Sequence, residues 1–539
     1  GQTLTLTGTL NVTGSGGGAN PLTVDVASGN ITLNPATVTT ALSNLTVTGS
    51  GTGTLTLSKT GIYTGSTTID SGTLMSGITG AAPSTTSLIF NSFSVATFNM
   101  NGFAQTIGGL SGTNTNAVVT NSGGAQTLSV VGSTSSSYAG TLTGALGLAV
   151  SLSGGSTLAL SNPNSSYTGG TAITAGTLSV SHLANSGANS SIGTGTTTPA
   201  ISIGAAGVLQ YIGTTADSTS RAITLTGSGA TLDASGTGSI VYSGGVTGNN
   251  FNLNLTGTGT GAESGVIGTT TGALTKSGTG TWSLTGLNTY RGTTTINNGT
   301  LAINTLFNVS GGASSLGAPT TTANGTITLG SVGNTGVLAY TGTGSSSSRP
   351  FSIASGGAGT IQTNAGSGAL TLSGALGGAA TPVTFNVGGG DITYSGVIGT
   401  GTGSVTKIGT GTLTLSGVNT YTGLTAIQAG ILRLNSVSAL GGTGSGGSAA
   451  SVANGAALDL NFTGTLADSN MITLSGTGPT GGGALTFSGN NITLNNPIGL
   501  ASGPGVLIQG NGTGVMAVGG GAGITGSASN LTINLPNAS

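Results

Sequence analysis

A gapless internal repeat constrains this chain more than any other feature. Residues 395 to 434 read SGVIGTGTGSVTKIGTGTLTLSGVNTYTGLTAIQAGILRL, and residues 264 to 303, 131 positions upstream, agree with them at 24 of 40 places. Weaker copies lie at 51 to 74 and 156 to 178. Anchored on Tyr63, Tyr167, Tyr290 and Tyr421, all four copies place Gly two residues later and Ile at six (Ile69, Ile173, Ile296, Ile427). Gly follows at nine (Gly72, Gly176, Gly299, Gly430) and Leu at eleven (Leu74, Leu178, Leu301, Leu432). A register that survives while composition drifts belongs to a chain built from stacked, similar units.

The Ile and Leu positions are expected to face inward. The residue after each Ile is polar (Asp70, Thr174, Asn297, Gln428), which is the in-and-out alternation of a strand. The glycine between the two apolar columns marks a turn with positive φ or a close approach of two backbones. An extra residue ahead of Tyr167 makes that connection a loop. Tyrosine there either packs back over the coil edge or joins a spaced, exposed ladder, and both readings stay open.

Composition decides the kind of repeat. Glycine supplies 107 of 539 residues, 3% are charged and the net charge is -1. Disorder goes with high net charge and no periodicity, whereas alternation here runs throughout. A neutral chain of alternating Thr, Val, Leu and Ile has little charge to keep strand edges apart, so the fold must cover those edges. A β-solenoid does so by hydrogen-bonding each coil to the next. Gly, Thr and Asn are too dense for helices, and almost no α-helix is expected. With ~20 residues per coil the chain would make roughly 27 coils, a rod on the order of 130 Å.

The spacers between copies resemble one another. LQYIGTTADSTSRAITLTG at 209 to 227 and LAYTGTGSSSSRPFSIASG at 338 to 356 share an aromatic, Gly-Thr and an Arg, and 457 to 476 is a looser version. Phe90, Phe93, Phe98 and Phe103 are expected to fill the interior, Tyr138 marks a decayed fifth copy, and 480 to 539 is a C-terminal cap or joining segment. The whole chain reads as one continuous solenoid.

GTGTLTLSGVNTYTGLTAIQAGIL resembles the autotransporter-associated β-strand repeat of bacterial surface proteins. It matches in the GTGTLTLSG strand, the NTYTG turn and the T-x-I-x-x-G-x-L strand. The resemblance covers about a quarter of the chain. It implies a right-handed parallel β-helix, export to the cell surface or beyond with the signal peptide removed, and a structural or adhesive role. Passengers of that kind precede a membrane β-barrel, and the final residues NLTINLPNAS show no barrel strands.

Chemistry is sparse. Seven Lys and Arg spread over the chain cannot neutralise a run of phosphates, so nucleic acid is not an expected partner. No apolar run is long enough to insert in a membrane as a helix. Cysteine is absent, and with it disulfides and thiolate metal sites. A polysaccharide-acting enzyme would need facing carboxylates. The nearest pairs in sequence are Asp217 with Asp233 and Asp459 with Asp468, and all are expected to be solvated turn acids. His182, with no acid near it in sequence, reads as a loop residue, and Trp282, opposite Leu413 of the twin copy, as core. Lys276 and Lys407, each before a GTGT turn, are expected in solvent, discouraging lateral strand pairing. GGGDITYSG at 388 to 396 lacks the tandem form of a calcium nonapeptide. No catalytic residue, metal or cofactor is expected. The reading is a non-enzymatic extracellular rod whose partner is itself, joined end to end into a filament or surface layer. The alternative is an adhesin or stalk that meets glycans or other cell surfaces.

Overall fold

A computed structural model describes residues 3–7, 9–10, 20–38, 42–49, 52–91, 94–196, 200–442, 449–511, 514–519, 523–526 and 530–535. The chain divides into two units, Gly1–Gly272 and Ala273–Ser539. Both are parallel β-solenoids, and together they make about 22 turns. Helix among the described residues is limited to Thr322–Gly325 and a single 3-10 turn at Pro479–Gly481.

In the first unit the long strand Thr171–Val180 runs parallel to Ile201–Tyr211, from Thr171 opposite Ile201 to Val180 opposite Tyr211, with a register shift between Ile173 and Ala175. Ile201–Tyr211 then pairs onward with Ile223–Leu225 and Ala230–Ala234. In the second unit Thr281–Leu284, Gly299–Ile303, Thr335–Tyr340 and Ala358–Thr363 form one such succession. From Leu485 to Gly510, within the stretch read as a cap or joining segment, strands continue the parallel ladders of that unit.

The turn count falls below the expected 27 because the coils vary in length. Leu274 pairs with Thr294, twenty residues on, whereas Gly299 pairs with Gly336, thirty-seven on. The longer coils carry loops pushed out between strands.

The inward columns lie where the alternation puts them. Ile69, Ile173, Ile296 and Ile427 are at most 1% exposed, and Leu74, Leu178, Leu301 and Leu432 are fully buried. Trp282 is buried and pairs with Leu301 of the next turn. Phe90 and Phe98 are buried and Phe103 half-buried, while Phe93 lies outside the described residues. Phe90 packs on Tyr138 with ring centroids 5.5 Å apart.

The ninth-position glycines meet both demands read from the sequence. Gly72, Gly176, Gly299 and Gly430 have φ of 78°, 75°, 67° and 66°. A Cβ at Gly430 would lie 2.5 Å from the carbonyl oxygens of Gly409 and Gly411. No L side chain fits there without moving the backbone of the adjacent coil.

Candidate functional site

The tyrosine corner is built the same way four times. Each tyrosine is at most 2% exposed. Its hydroxyl shares a hydrogen bond with the threonine four residues on: Tyr63 with Thr67 and Tyr167 with Thr171 at 2.6 Å, Tyr290 with Thr294 and Tyr421 with Thr425 at 2.8 Å. The tyrosines therefore pack back into the coil, and the exposed ladder is not formed. Burial pushes the phenols of Tyr63, Tyr167 and Tyr290 up, Tyr290 to about 12, so these three serve as neutral hydrogen-bonding core groups. Tyr138 is different, since it lies at the end of the strand Ser136–Tyr138 and donates to the Thr141 carbonyl.

A loop closes over three of these tyrosines. Ser190-Ser-Ile-Gly193, Ser314-Ser-Leu-Gly317 and Ser438-Ala-Leu-Gly441 end in glycines with φ of 67°, 73° and 98°. A Cβ on each glycine would fall 2.3 to 2.4 Å from the carbonyl oxygen of the tyrosine below. The next residue donates its N–H to that carbonyl: Thr194 to Tyr167 at 2.9 Å, Ala318 to Tyr290 and Gly442 to Tyr421 at 2.8 Å. Sequence reasoning missed this element. Its signal was a recurrent Ser-x-(Ile/Leu)-Gly, hidden because its distance from the tyrosine varies.

The spacer arginines hold two of these loops. Arg221, 1% exposed, donates through Nη1 to Ile192 O at 3.0 Å and through Nη2 to Gly193 O at 2.6 Å and Ala188 O at 3.1 Å. Arg349, fully buried, donates through Nε to Gly325 O and through Nη1 to Leu316 O, both at 2.7 Å. Main-chain carbonyls, in place of a carboxylate, receive these charges.

The lysines overturn the expectation that they are solvated. Lys276 and Lys407 are fully buried. Lys276 Nζ donates to the carbonyls of Ser277, Gly278 and Asn298 at 2.6 to 3.0 Å. Lys407 Nζ does the same to Ile408, Gly409 and Ala429 at 2.7 to 3.1 Å. The positive-φ turn leaves several carbonyls converging on one point, and an ammonium supplies three donors there. Burial lowers both amines to about 8.

The acids are also not uniformly solvated. Glu263, Asp459 and Asp468 are buried. Asp459 takes Arg433 Nε at 2.7 Å, Thr486 Oγ1 at 2.9 Å and Ser488 Oγ at 3.0 Å. Among the described residues Glu263 accepts only the Gly265 N–H, at 2.9 Å, and desolvation raises it to about 8. The Asp217 and Asp233 carboxylates have separate partners. Asp217 receives the Leu183 N–H at 3.0 Å and faces His182 Nδ1 at 3.0 Å, while Asp233 accepts from Gln210 Nε2 at 3.1 Å and from Ser235. His182 does lie in a loop, but the stacking brings it an acid 35 residues away in sequence. Asp391, in the calcium-like stretch, is exposed and accepts the Thr412 N–H.

An open groove of about 530 Å³ runs past Gln126, Thr127, Gly147, Thr171 and Ser202, and none of its lining residues is titratable. What the fold and its corners define is a repeat-built parallel β-solenoid that turns seven of its fifteen charged side chains inward.

The comparisons sharpen that class. The model of the passenger-associated transport repeat matches residues 45–75, 152–180, 274–303 and 405–434, one copy around each of the four tyrosines. The resemblance read from those segments therefore holds. A curated relative, the adhesin BmaC autotransporter of Brucella suis biovar 1 (strain 1330), is 35% identical over 289 residues, 53% of this chain. The chain spans about 7% of that relative's length. No solved structure matches. No helix among the described residues is long and apolar enough to cross a membrane, which says nothing of a β-barrel.

Proposed function

We propose that this chain is a portion of the passenger of an autotransporter-like surface protein, a non-catalytic β-solenoid held outside the cell that presents adhesive surface. The observation that carries this reading is the tyrosine corner: all four matched repeats spend the tyrosine hydroxyl on a threonine inside the coil, and the third and fourth also spend a lysine amine on turn carbonyls. The similarity to a protein named as an adhesin supports the adhesive part. Displaying residues 1 to 539 on a non-adherent bacterium and counting bound host cells tests it. Adherence above an empty display is expected. Adherence equal to the empty display, together with a glycan-cleaving activity lost in Asp217→Asn or Asp233→Asn, would overturn it in favour of an enzyme.

Self-association is the second reading, and one structural observation favours it. Of the fifteen Lys, Arg, Asp and Glu residues, Arg221, Glu263, Lys276, Arg349, Lys407, Asp459 and Asp468 are buried. The outer surface is thus poorer in charge than the composition suggests, with little repulsion between like copies. Sedimentation velocity across a hundredfold concentration range would show growing end-to-end species if this is right, and a constant single species if it is not.

A further inference from the structure

The third repeat departs from the other three at one place in its glycine turn. The residue before the left-handed glycine is Ser71, Ala175, Asn298 and Ala429 in chain order, so among the four copies only the third presents an Asn-Gly pair there. Two hydrogen bonds converge on that pair. The Gly299 N–H donates to Oδ1 of Asn298 itself at 2.8 Å, and Lys276 Nζ donates to the Asn298 carbonyl oxygen at 3.0 Å. The fourth copy keeps the ammonium, with Lys407 Nζ 3.1 Å from the Ala429 carbonyl oxygen, but has no side-chain amide beside it. The second copy has neither, since Leu152 stands under Gly176.

This arrangement suits one reaction of the main chain. Oδ1 is bonded to Cγ, so a nitrogen 2.8 Å from Oδ1 already lies beside the carbon at which a five-membered ring would close. Gly299 has φ of 67°, and both residues of the pair are half-buried, so the turn is fixed while solvent still reaches it. When the Gly299 nitrogen gives up its proton, the negative charge is shared with the Asn298 carbonyl oxygen. A cation already placed on that oxygen stabilises the developing charge without having to move. Lys276 is fully buried and is held by the Ser277 and Gly278 carbonyls as well, which keeps its ammonium at this place.

We propose that Asn298 is a site of spontaneous self-modification, at which the Gly299 nitrogen displaces the side-chain amide of Asn298 beside the Lys276 ammonium. The N–H proton passes to solvent hydroxide, the nitrogen bonds to Cγ, and Nδ2 takes a proton from water and leaves as ammonia. Water then opens the cyclic imide at either carbonyl, which gives aspartate or its isomer with the main chain routed through Cγ. Either product ends the 3.1 Å bond from Asn298 Nδ2 to Asn334 Oδ1, which ties this turn to the next coil. The inference stands apart from the passenger reading, since it concerns the chemistry of one turn and not what the surface meets.

Peptide mass mapping of the full chain, sampled during incubation at neutral pH and body temperature, tests it. Asn298 should lose ammonia and then gain water. It should do so faster than Asn101 and Asn324, whose following glycines give their N–H groups to Asn121 Oδ1 and to the Thr321 carbonyl. Two variants that leave every lysine in place isolate the cation. Ala429→Asn creates an Asn-Gly pair over Lys407, and Ala175→Asn creates one over Leu152. The first should convert about tenfold faster than the second, or more. An unmodified Asn298, conversion no faster than at Asn101 and Asn324, or equal rates in the two variants would overturn the proposal. So would a lasting loss of ammonia without uptake of water that joins residues 276 and 298 in one peptide, because Lys276 would then be the group that displaced the amide.

Discussion

At the glycine turn, the second repeat and its two later relatives solve one packing problem with opposite chemistry. Under Gly176 sits Leu152, 3% exposed, and a Cβ on that glycine would come 2.6 Å from the leucine Cβ. Under Gly430 sits Lys407, whose Nζ would be 2.8 Å from the added Cβ. Lys276 occupies the matching place below Gly299, with Nζ 3.0 Å from the Asn298 carbonyl. The slot is thus defined by its inward phase and by the positive-φ turn above it. Desolvating an ammonium costs several kcal/mol, and three charge-assisted bonds of about 1.5 to 3 kcal/mol each offset it. The fold admits a charge wherever turn carbonyls converge.

The largest test asks whether the corner depends on what fills the slot. Tyr167→Ala and Tyr421→Ala each empty a buried aromatic site and should cost about 3 to 5 kcal/mol. The phenylalanine variants should cost about 1 kcal/mol, for the lost bond to threonine. Solenoids unfold piecewise, so the readout is hydrogen exchange within the affected coils. If the leucine and lysine corners respond equally, slot chemistry is irrelevant to the tyrosine. A larger loss at Tyr421 would tie the two together.

Exchanging the fillings comes next. Lys407→Leu removes three bonds and leaves carbonyls of Ile408, Gly409 and Ala429 short of donors, for about 1 to 3 kcal/mol. Leu152→Lys should be tolerated to a similar degree only if the turn above Leu152 can offer carbonyls as the later turns do. Measured midpoints that fall much further for Leu152→Lys than for Lys407→Leu would show that the second repeat cannot host a charge.

A third contrast pairs Glu263 with its twin Tyr394, which stand at the same place before the SGVIG segment. Tyr394 donates to the Gly374 carbonyl at 2.8 Å, whereas Glu263 leaves one oxygen without a partner among the described residues. The folded carboxyl titrates near 8 against a usual 4.5. Between those values the unfolded chain has released the proton that the folded chain retains. Glu263's contribution is therefore fully present below pH 4.5 and lost as pH rises to about 8, by about 1.4 kcal/mol for each unit of difference. Glu263→Gln and Glu263→Tyr should flatten denaturant midpoints across that window, and a slope unchanged in both would assign it elsewhere.

Much of this was legible because register carries it. The isoleucine and leucine columns and Trp282 follow from period-two phase, and the left-handed glycines from the turn that must separate the two columns. That phase also put Lys276 inward, since Leu274 and Lys276 flank an outward Thr275 in a strand of buried, half-buried and buried positions. The expectation of a solvated lysine gave residue type precedence over phase, and phase won. Arg221 and Arg349 lie outside strands, where no alternation applies. Their roles depend on which loop the next coil brings beside them. His182 and Asp217 lie 35 residues apart, and because coil length is not constant the residue stacked below a given position cannot be counted off from sequence.

That last pair gives the smallest effect and the sharpest contrast with the buried charges. The His182 side chain is 35% exposed and Asp217 7%, so solvent screens their attraction and the ion pair itself is worth about 0 to 1 kcal/mol. Asp217 also receives the Leu183 N–H, a bond that an asparagine oxygen can keep. Asp217→Asn should therefore leave the loop nearly as protected as the parent chain, and His182→Ala should do the same. Asp217→Ala, which removes the acceptor of a buried main-chain N–H, should speed exchange at Leu183 several-fold while leaving the Arg221-held residues 188 to 193 unchanged. If residues 188 to 193 open together with Leu183, the histidine and arginine contacts form one cooperative latch. The exposed pair would then count for as much as the buried guanidinium.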